Sequence, residues 1–140
     1  HGSQRGLGDR NSVLWGGFTL KGPSGSVFFA GDTAFAPHFA EIRRRLGAPT
    51  VALLPIGAYQ PRWFMQNIHM DPTDAVHAHQ ALGAKHSVGI HWGTFDLSDE
   101  GRFQPAGELM LALRRAGVPE SKFVAAVNGE SFLFGTAGPN

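Results

Sequence analysis

Two residues that commonly bind transition metals, Asp32 and His91, each follow a short apolar segment of the sequence. Residues 26–30 and 86–90 have the composition of strands that are covered on both faces. Because the carboxyl ends of parallel strands meet along one edge of a sheet, such strands can bring the two side chains together. A carboxylate can span two metal ions about 3.5–4 Å apart, and neutral imidazole suits zinc. The sequence therefore indicates a metal site, and hydrolysis is the chemistry that such a site performs.

Each of these residues also has a purely structural interpretation. Asp32 follows Gly31 and is equally typical of a turn, and His91 is equally typical of a core histidine that bonds a backbone group. The metal interpretation gains weight because both residues occur in the same context, at the end of an apolar strand. The chain contains no cysteine, which leaves His, Asp and Glu as the available ligands for a transition metal.

Bulk composition narrows the class of protein. A chain of 140 residues that is 42% hydrophobic, with 11 Phe and 3 Trp, can fill the core of one globular domain. A formal charge of +1 gives no basic surplus, so nucleic acid is excluded as a partner. No apolar run approaches the length of a membrane span, and no signal peptide is evident. We expect a chain that is cytoplasmic or peripheral to a membrane.

Turn and cap signals divide the chain into short elements. Asp71 as N-cap, followed by Pro72, is a strong helix start, and Gly83 is the expected residue at that helix end. The dipeptide Asn128-Gly129 is a favourable hairpin turn. The predicted order, β-β-α-β-α-β-α-β-β, indicates an α/β or α+β fold. The predicted strands are 13–20, 26–30, 51–55, 86–90, 123–127 and 131–134, the helices 37–46, 72–82 and 105–116, with a turn at 21–25 and an aromatic loop over 56–70.

Several short motifs follow one another in a fixed order along nearly the whole chain. Each is weak alone, but the ordered set is specific. They are His1-Gly2-Ser3-Gln4-Arg5, Gly31-Asp32-Thr33, Leu54-Pro55-Ile56-Gly57-Ala58-Tyr59, Pro61-Arg62-Trp63-Phe64-Met65, His69-Met70-Asp71-Pro72 and His91-Trp92-Gly93-Thr94-Phe95. Together they resemble the second half of the metallo-β-lactamase fold, in the branch that contains N-acyl-phosphatidylethanolamine-hydrolysing phospholipase D.

The resemblance implies an αββα sandwich, with a mixed sheet flanked by helices, and a site for two metal ions, usually zinc. It implies that His1 binds one metal, that Asp32 bridges both and that His91 binds the other. The remaining ligands of such enzymes come from a His-x-His-x-Asp-His motif in the first half of the fold, and this motif is absent from the sequence. Residues 1–140 are therefore predicted to be the C-terminal half of the domain. The expected partner is the missing N-terminal half or a second copy of the chain.

The reaction implied is zinc-dependent hydrolysis of a phosphodiester in a lipid. The same fold supports lactonases and other esterases, so a small ester is an alternative substrate. A second alternative is a non-catalytic half-domain that binds a partner through exposed apolar surface, with partial zinc occupancy or none. At His1, a disordered residue or a tag remnant is the alternative to a ligand.

The remaining candidates lie in and beside the aromatic loop. By the resemblance, His69 is a catalytic or substrate-positioning histidine, and the alternative is a surface histidine. His77 and His79 lie two apart on one predicted helix, so they cannot chelate a metal together and are expected to be structural or solvated. Five loop residues are expected either to bind an acyl chain or membrane or to pack as core: Tyr59, Arg62, Trp63, Phe64 and Met65.

Overall fold

Five strands form one mixed sheet in a computed structural model that describes residues 6, 8, 12, 16–96 and 98–134. The strands lie in sequence order, with β1 and β2 antiparallel and the pairs β2–β3, β3–β4 and β4–β5 parallel. The carboxyl ends of β2, β3 and β4 therefore share one edge of the sheet, as the sequence predicted. The strands are β1 (Phe18–Gly22), β2 (Gly25–Phe29), β3 (Val51–Pro55), β4 (His86–Ile90) and β5 (Phe123–Ala125).

Helices follow three of the parallel strands, and most of their ends are where cap signals predicted. The Asp71 carboxylate accepts a hydrogen bond from the Asp74 N–H at 2.8 Å, and Gly83 ends this helix in the left-handed conformation at φ 61°. None of the helices in the described ranges is long and apolar enough to cross a lipid bilayer. The helices are α1 (His38–Leu46), α2 (Arg62–Met65), α3 (Pro72–Leu82) and α4 (Gln104–Ala116), with a 3-10 turn at Glu120–Lys122.

The helices α1, α3 and α4 pack on one face of the sheet. Phe28, Leu54 and Phe123 point to this face and belong to the same buried cluster as the apolar residues of the helices, among them Phe39 and Leu109. Burying such side chains stabilises a fold by roughly 1.5–3 kcal/mol each, so this layer holds the helices on the sheet. The pattern matches the predicted α/β class, with a mixed sheet and flanking helices.

The opposite face of the sheet is apolar and exposed in the part of the chain that the structure describes. The pairing of Phe18 with Phe29 and of Leu20 with Val27 places these four side chains on one face. Phe18 is 68% exposed and Leu20 is 71% exposed. Contiguous exposed apolar surface of this kind is typical of an interface.

The predicted strand over residues 131–134 is wrong, although the turn before it is present. The Glu130 N–H donates to the Val127 carbonyl at 3.1 Å, as in a hairpin turn. The Val127 N–H, however, donates to the Glu130 side chain at 3.0 Å rather than to its carbonyl. This side-chain bond replaces the ladder bond that would start a second strand, and β5 already ends at Ala125.

Two further boundaries differ from the prediction, and one lies outside the described residues. The turn predicted over 21–25 contains only Pro23 and Ser24, because Gly25 adopts φ 132° and lets the hairpin close in two residues. The loop predicted over 56–70 contains the one-turn helix α2. Residues 13–15, the start of the first predicted strand, lie outside the described residues.

A buried polar pair joins α3 to β4. His79 is 7% exposed, and its Nδ1 lies 2.8 Å from the hydroxyl of Ser87, which is fully buried on the helical side of the sheet. Burial lowers the pKa of His79 from its ordinary value of 6.5, and the positive charges of His86 and Lys122 lower it further. His79 is therefore a structural residue that the folded chain keeps neutral.

We predict that His79 contributes to destabilisation in acid. Below pH 6.5 the unfolded chain binds the proton that the folded chain refuses, so the free energy of unfolding falls as the pH decreases. In His79→Gln, which does not titrate, the melting temperature should fall less between pH 7.5 and pH 5 than in the unmodified chain. His77→Gln, at an exposed site on the same helix, is the control. Equal pH slopes for all three proteins would contradict the assignment.

Candidate metal centre

Asp32 reaches the edge of the sheet through a left-handed turn after β2. The strand pairing continues to Ala30, whose N–H donates to the Leu53 carbonyl at 3.0 Å. Gly31 then adopts φ 65°, a conformation that favours glycine, and redirects the chain. The Asp32 side chain is 62% exposed, so its carboxylate is accessible.

His91 follows β4 directly and is itself left-handed, with φ 62°. A non-glycine residue in this region is strained by about 1–3 kcal/mol, and such residues occur preferentially at functional sites. The residue that makes room for this geometry is Gly57, which follows β3. A Cβ at this position would lie only 2.1 Å from the His91 carbonyl oxygen. Only glycine fits at position 57.

His69 approaches from the loop between β3 and α3. Its N–H donates to the Met65 carbonyl at 2.8 Å, and its own carbonyl accepts from Arg62 Nη1 at 2.8 Å. The next residue, Met70, donates its N–H to the Thr33 carbonyl at 3.0 Å. These hydrogen bonds tie the His69 backbone to the segment that carries Asp32.

The side chains of Asp32, His69 and His91 meet at one point. One ligand atom from each of these three residues lies within 4.8 Å of the other two. His91 Nε2 is 3.4 Å from Asp32 Oδ1, and the rings of His69 and His91 stack with centroids 5.2 Å apart. The structure therefore brings Asp32 and His91 together and adds His69, which neither strand pattern nor spacing placed there.

The chemistry of this group fits a divalent metal. The Nδ1 atoms of His69 and His91 are buried and have no hydrogen-bond partner among the described residues. Burial lowers the pKa of His69, and proximity to His91 lowers it further, which favours the neutral ring that metals bind. Two imidazoles and a carboxylate are suitable ligands for zinc and similar ions. His1, the other predicted ligand, lies outside the described residues.

The five predicted substrate-binding residues fall into two groups. Tyr59 is buried and Arg62 is held in ion pairs, so both face into the chain. Trp63 and Phe64 are 78% and 54% exposed and touch each other, with ring centroids 5.8 Å apart, while Met65 is half-buried. Among these five residues, the accessible apolar side chains are therefore Trp63 and Phe64.

Arg62 organises the approach of His69. Besides the His69 carbonyl, its guanidinium binds Asp71, with Nε 3.1 Å from Oδ2, and Asp74. Burial raises the pKa of Asp74, the Asp71 charge raises it further, and Arg62 opposes both effects. Arg62 thus neutralises two carboxylates at the start of α3 while it fixes the loop.

A cavity borders His91 on the side of the sheet that the described helices leave uncovered. Its volume is about 620 Å³. Most of the residues that line it are apolar, and they include Val88, Ile90, Trp92, Phe95 and Val127. An apolar recess therefore adjoins the centre at His91.

Comparison with known proteins agrees with this architecture. The family model for the beta-lactamase superfamily domain matches residues 1–92. This range covers both Asp32 and His91, so the chain belongs to that superfamily.

One relative indicates the branch. The chain is 40% identical, over 133 residues, to N-acyl-phosphatidylethanolamine-hydrolyzing phospholipase D 1 of Caenorhabditis elegans. The match covers 93% of this chain but only 37% of the worm protein, so the chain spans little more than a third of the length of that relative.

Two solved structures share the fold. An isothiocyanate hydrolase from Delia radicum gut bacteria matches with a TM-score of 0.63 and 20% identity, covering 81% of this chain and 41% of that one. A metallo hydrolase from the archaeon Ignicoccus hospitalis matches with a TM-score of 0.51 and 27% identity, covering 76% and 43%. The α/β fold of the metallo-β-lactamase type, predicted from the sequence, is thereby confirmed.

We predict that Arg62→Lys lowers the free energy of unfolding by about 1–3 kcal/mol, the cost typical of losing hydrogen bonds to charged groups. Lysine keeps the charge but cannot reach Asp71, Asp74 and the His69 carbonyl together. Urea denaturation measures the change. The control is Arg44→Lys, at an exposed ion pair with Glu41, which should leave stability nearly unchanged. Equal effects of the two substitutions would contradict the role of Arg62.

Proposed function

We propose that the chain is the C-terminal half of a zinc-dependent hydrolase that cleaves a phosphodiester in an N-acylated phosphatidylethanolamine. The observation that carries the proposal is the meeting of Asp32, His69 and His91 within 4.8 Å at the carboxyl edge of the sheet. The similarity to the worm phospholipase D supports the choice of substrate class. Sharing a fold alone would not support it, because one fold serves many reactions.

Each residue of the centre has a distinct task in this proposal. Asp32 would be shared by two zinc ions, and His91 and His1 would each hold one of them. Zinc, when bound, makes water acidic enough to act as a nucleophile near neutral pH and stabilises negative charge on a phosphoryl oxygen. The further ligands come from a part of the fold outside residues 1–140.

His69 is assigned to the substrate rather than to a metal. Its backbone hydrogen bonds to Met65 and Arg62 hold the ring beside His91. From there the ring can donate a hydrogen bond or a proton to an oxygen of the phosphodiester. The lowered pKa of His69 keeps the ring neutral before the reaction, so the ring can accept the proton that the attacking water loses and then donate it to the leaving oxygen.

The lipid part of the substrate is assigned to the exposed aromatic pair. Trp63 and Phe64 lie on α2, in the same loop as His69, and their side chains are exposed. Aromatic rings at such positions suit contact with acyl chains or with the interfacial region of a membrane.

The exposed face of the sheet is assigned to the rest of the fold. Phe18, Leu20 and Phe29 form an apolar surface there, and two sheets stack face to face about 10 Å apart in sandwich folds. The missing N-terminal half, or a second copy of this chain, would cover this surface and complete the site.

Because Asp32 and His69 have different roles, we expect their substitution to affect hydrolysis and zinc binding differently. In whichever form of the protein turns over the lipid, the chain alone or with the first half of the fold, Asp32→Ala should abolish hydrolysis and reduce bound zinc. His69→Ala should lower kcat by about 10²–10⁴-fold, the usual contribution of a proton donor, and keep its zinc. Turnover assays with zinc determination by mass spectrometry measure both quantities.

The matched control is His77→Ala, which changes an exposed histidine of α3. Full activity of Asp32→Ala would refute the bridging role. Loss of zinc from His69→Ala would show that His69 is a ligand and would refute its assignment to the substrate. Failure of every form of the protein to bind zinc or cleave a phosphodiester would favour the non-catalytic half-domain.

A further inference from the structure

The loop between His91 and α4 contains a carboxylate whose oxygens are both occupied. Glu100 Oε1 accepts hydrogen bonds from the Ala58 N–H at 2.6 Å and from the Ser98 hydroxyl at 2.7 Å. Its Oε2 accepts from the Gln60 N–H at 3.0 Å. Both oxygens are thus satisfied within the chain, so Glu100 is not free to bind a metal or to act as a base.

The two backbone donors belong to the segment that leaves β3, residues 57–60. This segment crosses immediately beside His91, since a Cβ on Gly57 would lie 2.1 Å from the His91 carbonyl oxygen and 3.1 Å from Trp92 Cβ. The two backbones are in close contact there, and the Ile56 N–H donates to the Ile90 carbonyl at 3.0 Å one residue earlier in each segment. The position of the 57–60 segment therefore sets the position of the His91 backbone.

The crossing contains two left-handed residues that are not glycine. Ala58 has φ 60° and His91 has φ 62°. Each such conformation costs about 1–3 kcal/mol and persists only where surrounding contacts impose it. At Ala58 the imposing contact is identifiable, because the N–H of this residue is the one that Glu100 binds at 2.6 Å.

We propose that Glu100 is a positioning residue for His91, which acts by holding residues 57–60 against the His91 backbone. Glu100 lies nine residues after His91 and forty or more after the amides that it binds, so no local sequence pattern reveals this role. The inference rests on the proposed function only in that His91 is taken as a metal ligand.

The protonation state of Glu100 suits this task. Burial alone would raise the pKa of its carboxyl, but the hydrogen bonds from Ser98, Gln60 and Ala58 together lower the pKa below its ordinary value. The group is therefore ionised at neutral pH, and ionised carboxylates form stronger hydrogen bonds with backbone N–H groups than neutral acceptors do.

The test compares Glu100→Gln and Glu100→Ala with Glu120→Gln, which removes an exposed carboxylate paired with Arg114. Nuclear magnetic resonance follows amide exchange at Ala58 and Gln60 and the backbone and ring resonances of His91. Titration with Zn²⁺ alone gives the metal affinity. Glutamine retains one acceptor oxygen for two amides, whereas alanine retains none.

In Glu100→Ala we expect faster exchange at Ala58 and Gln60, displaced His91 resonances and a zinc affinity lower by about 10–100-fold, the range typical when a supporting contact of a ligand is lost. Glu100→Gln should lie between Glu100→Ala and the unmodified chain, and Glu120→Gln should match the unmodified chain. If Glu100→Ala does not fold, Glu100→Gln decides the outcome.

Two results would overturn the inference. One is faster exchange at Ala58 and Gln60 with His91 resonances and zinc affinity unchanged, which would make Glu100 merely structural. The other is unchanged exchange in Glu100→Ala, which would mean that the carboxylate does not hold the segment. If the unmodified chain binds no zinc, the proposed metal site fails, while the His91 resonances still decide whether Glu100 positions this residue.

Discussion

The parallel pairing of β2, β3 and β4 is the constraint on which the centre depends. Phe29 of β2 pairs with Leu53 of β3, and Leu53 pairs with Val88 of β4. Asp32 and His91 lie three residues after Phe29 and Val88, so this register places them at the same level of the sheet edge. Neighbouring strands lie about 4.8 Å apart, and with β3 between them the two backbones are separated by roughly 10 Å. Their side chains span that gap and approach to 3.4 Å. A shift of one residue in either register would separate them.

The exits of these three strands share a second feature, which is a left-handed residue close after each strand. These residues are Gly31, Ala58 and His91, with φ of 65°, 60° and 62°. These sharp turns keep the chain close to the sheet edge after each strand, instead of letting it extend away from that edge. Strain of this kind needs support, and the chain supplies it through Glu100 at Ala58 and through the fit of Gly57 against His91.

Local signals in the sequence predicted most of the elements, and long-range contacts account for what it missed. Asp71, Pro72 and Gly83 mark the ends of α3 because capping depends on neighbouring residues. Asp32 and His91 were identifiable because each ends an apolar strand. Three features could not be identified from the sequence: the approach of His69 to the centre, the ion pairs of Arg62 and the hydrogen bonds of Glu100. Each of them joins segments that only the folded chain brings together. The error at residues 131–134 is the exception and has a local origin, because the Glu130 side chain takes the Val127 N–H that a hairpin strand would have used.

The central claim is that zinc binds to Asp32 and His91, with His69 beside them. The most direct measurement is a Zn²⁺ titration of the 140-residue chain followed through the ring ¹⁵N resonances of its histidines. The account predicts a large shift of the His91 ring, an accompanying shift of the adjacent His69 ring and no change at exposed His77, with the His91 shift weakened in Asp32→Ala. Saturating zinc that leaves His91 unchanged, or that perturbs His77 as strongly, would contradict it.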